Sequence, residues 1–287
     1  MDENATSANQ QTNSYVIDAE NAAEMARLML QDHMLTQAMG GLFPEQINLT
    51  ETRRVLDIAC GPGGWLLEVM KQYPHMQGVG IDISQLMMEY ATGAAQREKL
   101  QNVYFRVMDA SRTLDFPDNS FDLVNGRILA GFLSTQQWPP LLAECYRITK
   151  PGGILRLTEA EWGITNSTAY DRMTGLMIKA GLQSGHAFSP GGRTVGTTAM
   201  LRRLMLQAGY QVLGQKASAL DYSAGTQAHK SNVHNFQVFY KLAQPFLAQM
   251  EVATQEELDH LYAQMEVEML AEDFCAVDYY LTVWGHK

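Results

Sequence analysis

The sequence predicts an α/β fold of the doubly wound kind, with helices on both faces of a mostly parallel sheet. Three observations predict it. Short apolar runs alternate with helix-length amphipathic segments from residue 55 to residue 158. A glycine-bearing turn, Asp57-Ile58-Ala59-Cys60-Gly61-Pro62-Gly63-Gly64, lies where the first run passes into the first of these helices. An acidic residue, Asp82, closes the second run 21 residues beyond Gly61.

Residues 1–14 are rich in Asn, Gln, Ser and Thr and are expected to form a disordered leader. Asp18 can cap a helix running to about residue 39, with Glu20, Glu24, Arg27 and Gln31 on one face and Ala22, Met25 and Met29 on another. Gly40, Gly41 and Pro44 end it. Strands are expected at 55–59, 79–81, 103–107, 121–124 and 154–158, and helices between them at 65–73, 86–98 and 141–148. The turn Lys150-Pro151-Gly152-Gly153 introduces the last of these strands. Such alternation makes βαβ units, whose right-handed crossovers collect the glycine turn and the strand C-termini along one edge of the sheet. Beyond Ala160 the pattern loosens. Helices are expected at 168–181, 197–208, 233–250 and 254–271, a strand beginning at 210–213, and a closing strand at 277–284. Thr254 and Glu257 have capping-box spacing.

Composition narrows the functions open to the chain. Its 287 residues carry 21 Lys and Arg against 31 Asp and Glu, a net charge of −10. A duplex or structured RNA demands a basic face, and no run of Lys and Arg supplies one, so a nucleic-acid substrate is disfavoured. Cys60, Cys145 and Cys275 lie far apart and lack metal-ligand spacing, so no metal and no disulfide framework are expected. No stretch has the apolar length of a membrane span, and a cytoplasmic location is expected.

Glycines at a strand-to-helix turn permit tight curvature and a close approach of backbone to ligand. Alone, this turn also fits a dinucleotide fingerprint, with Ala59, Gly61 and Gly64 in the three glycine places. Further features weigh on that choice. Asp82 is placed to accept hydrogen bonds from ribose hydroxyls. Asp109-Ala110 follows the third strand, Phe116 to Asp122 leads into the fourth, and Lys150 to Gly153 into the fifth.

This ordered set resembles the class I S-adenosylmethionine-dependent methyltransferases, especially the ubiquinone/menaquinone-biosynthesis type and its natural-product relatives. The resemblance covers residues 50–160 and extends more loosely to the final strand; Ala59 departs from it by replacing the family's first glycine. It implies a Rossmann-like sheet with an antiparallel last strand and helical cover elements. The organisation expected is a leader at 1–14, an N-terminal helical cover at 15–50, a cofactor-binding core at 51–165, and remaining strands with substrate-cover insertions at 166–287. The implied cofactor is S-adenosyl-L-methionine, with S-adenosyl-L-homocysteine as product. On this resemblance Gly61 and Gly63 contact the amino-acid portion, with Asp57 acting through water or on its ammonium group. Asp82 holds the ribose, Ile83 packs on the adenine, and Asp109 and Ala110 bind its edge. Asn125, Gly126 and Arg127 line the methionine end.

Methyl transfer from a sulfonium is an in-line displacement, so alignment in a dry pocket is the protein's main contribution. Glu159 and His186 are the candidate bases, and Tyr15, His33 and Trp162 the candidate pocket residues. Seventeen methionines, several outside the core, suit an adaptable apolar pocket. The expected substrate is a small, largely apolar or aromatic metabolite, and a homodimer is left open. RNA or protein methylation, a nicotinamide-dependent oxidoreductase, and an S-adenosylmethionine-binding protein without methyl transfer are the alternatives.

Overall fold

A computed structural model describes residues 15–287, so the leader expected at 1–14 lies outside the described residues. The sheet grows from β1 (Arg54–Ile58), whose Val55 and Leu56 are wholly buried, as a central parallel strand requires. On one side lie β2 (Gln77–Asp82) and β3 (Val103–Val107); on the other lie β4 (Phe121–Arg127) and β5 (Thr149–Thr165). The seven-strand order is β3-β2-β1-β4-β5-β7-β6, with β6 (Gln211–Asp221) at the edge and β7 (Ala276–His286) antiparallel to both neighbours. Strand order reverses between β2 and β4, which makes the C-terminal end of β1 a topological switch point. Register levels that edge: Ile58 pairs with Ile81 and with Gly126, so Ala59, Asp82 and Arg127 emerge together.

Helices α2 (Gly64–Gln72) and α3 (Gln85–Arg97) pack on one face through Trp65, Leu66, Val69 and Ala94. Helices α4 (Trp138–Ile148) and α6 (Thr197–Gln207) pack on the other through Trp138, Leu141, Leu201 and Met205. A third apolar cluster joins α5 (Thr168–Gln183), α7 (His229–Gln249) and α8 (Gln255–Met269) to Leu35 and Met39 of α1 (Ala22–Met39). No helix among the described residues is long and apolar enough to cross a membrane. The capping box forms: Thr254 Oγ1 accepts the Glu257 N–H at 3.2 Å, and Glu257 Oε2 accepts the Thr254 N–H at 2.9 Å.

The structure corrects two sequence expectations and shows a third feature that the sequence left open. Asn21, not Asp18, caps α1, its Oδ1 accepting the Ala23 N–H at 2.8 Å; Asp18 accepts from Glu20 in the preceding turn. Of the two faces of α1, the polar one turns inward: Glu24 and Arg27 are buried while Met29 is exposed. Finally, β5 runs on to Thr165, beyond the strand expected at 154–158, and β6, expected only to begin at 210–213, extends to Asp221. Both extensions pair with β7, so distant hydrogen bonding overrides weak local propensity.

Candidate functional site

A cavity of about 370 Å³ opens at the strand edge where β1, β2 and β4 end, and α1, α5 and α7 wall its other side. The turn after β1 begins with Ala59 at φ 50°, a left-handed conformation that costs alanine on the order of 1–2 kcal/mol and that glycine adopts freely. Gly61 follows at φ 53° and donates its N–H to Asp82 Oδ2 at 2.9 Å. Asp82 Oδ1 accepts the Ser84 N–H at 3.0 Å. Burial raises the Asp82 pKa, opposed by these backbone donors.

The glycines have different duties. A β-carbon on Gly63 would stand 2.7 Å from the Phe105 ring and 3.0 Å from Ala91, so this glycine lets the turn close onto β3 and α3 and does not line the cavity. The ligand contact expected at Gly63 is not part of this lining. Gly61 and Gly64 do line the cavity, and a β-carbon at 64 would collide with the Asp32 carboxylate of α1.

Behind the turn runs a buried polar chain. Asn125 Nδ2 donates to Asp57 Oδ1 at 2.7 Å, Arg156 Nη1 donates to Asn125 Oδ1 at 2.8 Å, and Arg156 Nη2 pairs with Glu45 Oε1 at 2.8 Å. Asn125 is therefore a support for Asp57 and not a cavity residue, which corrects its placement. Burial pushes the Asp57 carboxyl up to about 7, against the Arg127 charge and the Asn125 hydrogen bond; repulsion from Asp32 adds to the rise. Arg127 lines the cavity, pairs with Asp32, and lies over the Trp65 ring at 5.7 Å.

Ile83, Asp109 and Ala110 line the cavity as expected. Asp109 also closes its own turn, Oδ1 accepting the Ser111 N–H at 2.9 Å and the Ser111 hydroxyl at 2.6 Å. Glu159 is buried, and accepts the Leu129 N–H at 2.6 Å and the Ala130 N–H at 3.4 Å. These bonds hold the loop after β4, where Ile128 sits at φ 57°, an uncommon position for a β-branched residue. Burial lifts the Glu159 carboxyl to about 8, with Glu161 contributing. His186 also lines the cavity; Ser184 Oγ lies 2.9 Å from its Nδ1, and desolvation lowers its pKa.

The far wall is aromatic. Trp162 lies 5.5 Å from Phe239 and 6.0 Å from the Tyr240 ring, centroid to centroid, with Phe236 at 6.2 Å. Tyr15 lines the cavity and donates to Glu24 Oε1 at 2.6 Å. His33 is exposed on α1 and stands outside the cavity lining, because its neighbours Asp32 and Leu35 hold the inward face. Sequence reasoning missed Asp32, Arg27 and Asp278, all of which line the cavity. Arg27 pairs with Glu24 and donates to Asn235 Oδ1 at 3.0 Å, which ties α1 to α7. The i, i+3, i+7 spacing of Glu24, Arg27 and Gln31 puts them on one helix face but gives no sign that the face is buried, and Asp278, alone among apolar neighbours on β7, offered no signal.

Comparison with known proteins places this geometry. Residues 55–153 match the family described as a methyltransferase domain. A demethylmenaquinone methyltransferase of Deinococcus radiodurans is 37% identical over 107 residues, which is 37% of this chain and 43% of that protein. A sterol 24-C-methyltransferase of Aspergillus fumigatus is 30% identical over 144 residues, 50% of this chain and 37% of that protein. The chain thus spans less than half the length of these relatives. A candidate methyltransferase of Bacillus halodurans shares the fold, with a TM-score of 0.52 at 18% identity over 82% of this chain and 92% of that one.

Proposed function

We infer that this chain, whose residues 55–153 are a methyltransferase domain of the class I, S-adenosylmethionine-dependent type, transfers a methyl group to a small, largely apolar or aromatic molecule. The observation that carries the reading is a single cavity joining the carboxylate-lined glycine turn to the aromatic wall around Trp162. The residues fit the cofactor. Asp82 accepts from the Gly61, Ser84 and Ile83 backbone, and a carboxylate has about four lone-pair sites, which leaves room for a ribose hydroxyl. Gly61 leaves its side of the turn open: a β-carbon there would meet only Leu28 and Met87, at 3.8 and 3.9 Å. When bound, S-adenosylmethionine supplies an electrophilic methyl group on sulfur, and S-adenosylhomocysteine remains.

The chain's own residues do the rest. Ile83 and Ala110 give the adenine an apolar bed, and Asp109 offers an acceptor at its edge. Asp57 and Arg127 receive the amino-acid end. Leu35, Met177, Ile178 and Phe236 exclude water from the acceptor side and favour a flat or aliphatic substrate. The sterol and demethylmenaquinone relatives, whose named substrates are apolar, support that class.

Calorimetric titration with S-adenosylmethionine, S-adenosylhomocysteine and NAD tests the reading. The sulfur nucleosides are expected to bind and NAD is not; the reverse selectivity, or binding of none, overturns it. Asp57 sets the pH dependence. Protonated below about pH 7, it loses its attraction for an ammonium group, so affinity should fall by up to about tenfold per pH unit as pH drops further.

Glu159 is the candidate proton acceptor for substrates whose nucleophile carries a proton. With its carboxyl at about 8, ionisation and activity both rise as pH increases through that value. Glu159→Gln is expected to lower kcat about 100-fold, to keep cofactor affinity within about twofold, and to remove the ionisation near 8 from the kcat profile. Unchanged kinetics would leave Glu159 with the single duty of holding the Ile128 loop.

A further inference from the structure

Asp32 was not among the residues singled out from sequence, yet it sits at the head of the glycine turn. One carboxylate oxygen pairs with Arg127, and the other lies over Gly64, the first residue of α2, where any β-carbon would collide with it. A side chain at position 64 would push α1 off the turn, so this glycine makes room for Asp32. The Asp32 side chain is 18% exposed and lines the cavity beside Asp57, Gly61 and Arg127.

Above about pH 7, where Asp57 is ionised, charge at this corner does not balance. Asp57 and Asp32 present two carboxylates, and Arg127 is the cation that faces them both. Arg156, the next guanidinium, is already paired with Glu45. A ligand with an ammonium group relieves the repulsion between the two aspartates. A carboxylate on the same ligand finds the remaining donors of Arg127 and the first turn of α2, whose dipole favours an anion.

We propose that Asp32 is a direct ligand of the cofactor's α-ammonium group, so that α1 and the glycine turn grip the amino-acid end between them. The proposal rests on S-adenosylmethionine being the ligand of this site. It has a mechanical consequence. Through Arg27 and Asn235, α1 is tied to α7, so the helix that receives the ammonium also borders the aromatic wall.

The test compares S-adenosylhomocysteine with 5′-methylthioadenosine, which keeps the adenosine and the thioether but lacks the amino-acid end. Asp32→Asn is expected to weaken S-adenosylhomocysteine about tenfold or more, to leave methylthioadenosine within about twofold, and to be partly rescued by Asp32→Glu. An equal loss for both ligands would make Asp32 a structural residue and overturn the proposal. Unchanged or tighter S-adenosylhomocysteine binding would also overturn it, since a side chain that merely occupies the ligand carboxylate's place competes with the ligand. A wild-type protein that binds neither ligand removes the cofactor assignment itself; wild-type binding with an indifferent variant removes this step alone.

Discussion

Asp82→Ala is expected to weaken S-adenosylhomocysteine binding about 100-fold, the largest loss of any single substitution in the cofactor cavity. Two contributions combine. On the proposed assignment the carboxylate accepts from ribose hydroxyls, and hydrogen bonds to a charged group are worth about 1.5–3 kcal/mol each. It also accepts the Gly61 N–H at 2.9 Å and the Ser84 N–H at 3.0 Å, so alanine leaves the turn without its anchor. A loss of about 2.7 kcal/mol corresponds to the 100-fold change. Asp82→Asn keeps one acceptor oxygen and should fall between the two. Because the ribose is common to both ligands, methylthioadenosine should suffer as much as S-adenosylhomocysteine, which separates Asp82 from Asp32. Near-normal affinity in the alanine variant, measured by calorimetry, would take the ribose away from Asp82.

Why this residue was legible in the sequence, and others were not, has a physical basis. Asp82 ends a short buried strand, Gly61 begins the neighbouring turn, and the two meet because parallel pairing sets Ile58 against Ile81. Every part of that argument is local or follows from one register. The same holds for β1, α2, β2, α3 and β3, whose strand and helix periods are unmistakable. β5 and β6 failed the local test because their extensions are stabilised by β7, which lies far off in sequence. β6 is also an edge strand whose exposed face carries Gln211 and Gln215, so its apolar signal is diluted.

The site divides along the same line. Asp57, Asp82, Ile83, Asp109 and Ala110 lie at strand ends, where topology alone gathers them. Asp32, Arg27 and Glu24 lie on a helix whose docking no local rule supplies. A polar stripe on α1 reads as a solvated face by periodicity, yet it is buried because Arg27 finds Glu24 and Asn235 inside. Gly63 shows the converse. Its motif position suggested a ligand, but the crowding at Phe105 gives it a packing role. Ala59 at φ 50° occupies a conformation that glycine adopts freely, and the turn tolerates the strain.

Glu45→Ala is expected to cost stability more than any other single change outside the apolar core. The Arg156 side chain is 1% exposed and that of Glu45 is fully buried, so the pair has no solvent to fall back on. Removing one partner of a buried ion pair costs about 3–5 kcal/mol, because the survivor is left uncompensated. For a chain of this size that is a drop of roughly 10 °C in Tm. Burial already lowers the Arg156 pKa, and the Glu45 charge is what opposes that shift. Replacing both partners together, as Glu45→Leu with Arg156→Met, should restore most of the lost stability, since apolar isosteres of buried pairs are often neutral. It should not restore the site. Asn125 would lose the donor that fixes its amide at 2.8 Å, and Asp57 would then lose an oriented partner. The double variant is therefore expected to melt near the wild type while binding S-adenosylhomocysteine about fivefold more weakly. A double variant with both normal stability and normal affinity would show that the chain from Glu45 to Asp57 supports the fold alone; recovery of melting temperature with a persisting loss of affinity would show that it also orients the carboxylate at the head of the turn.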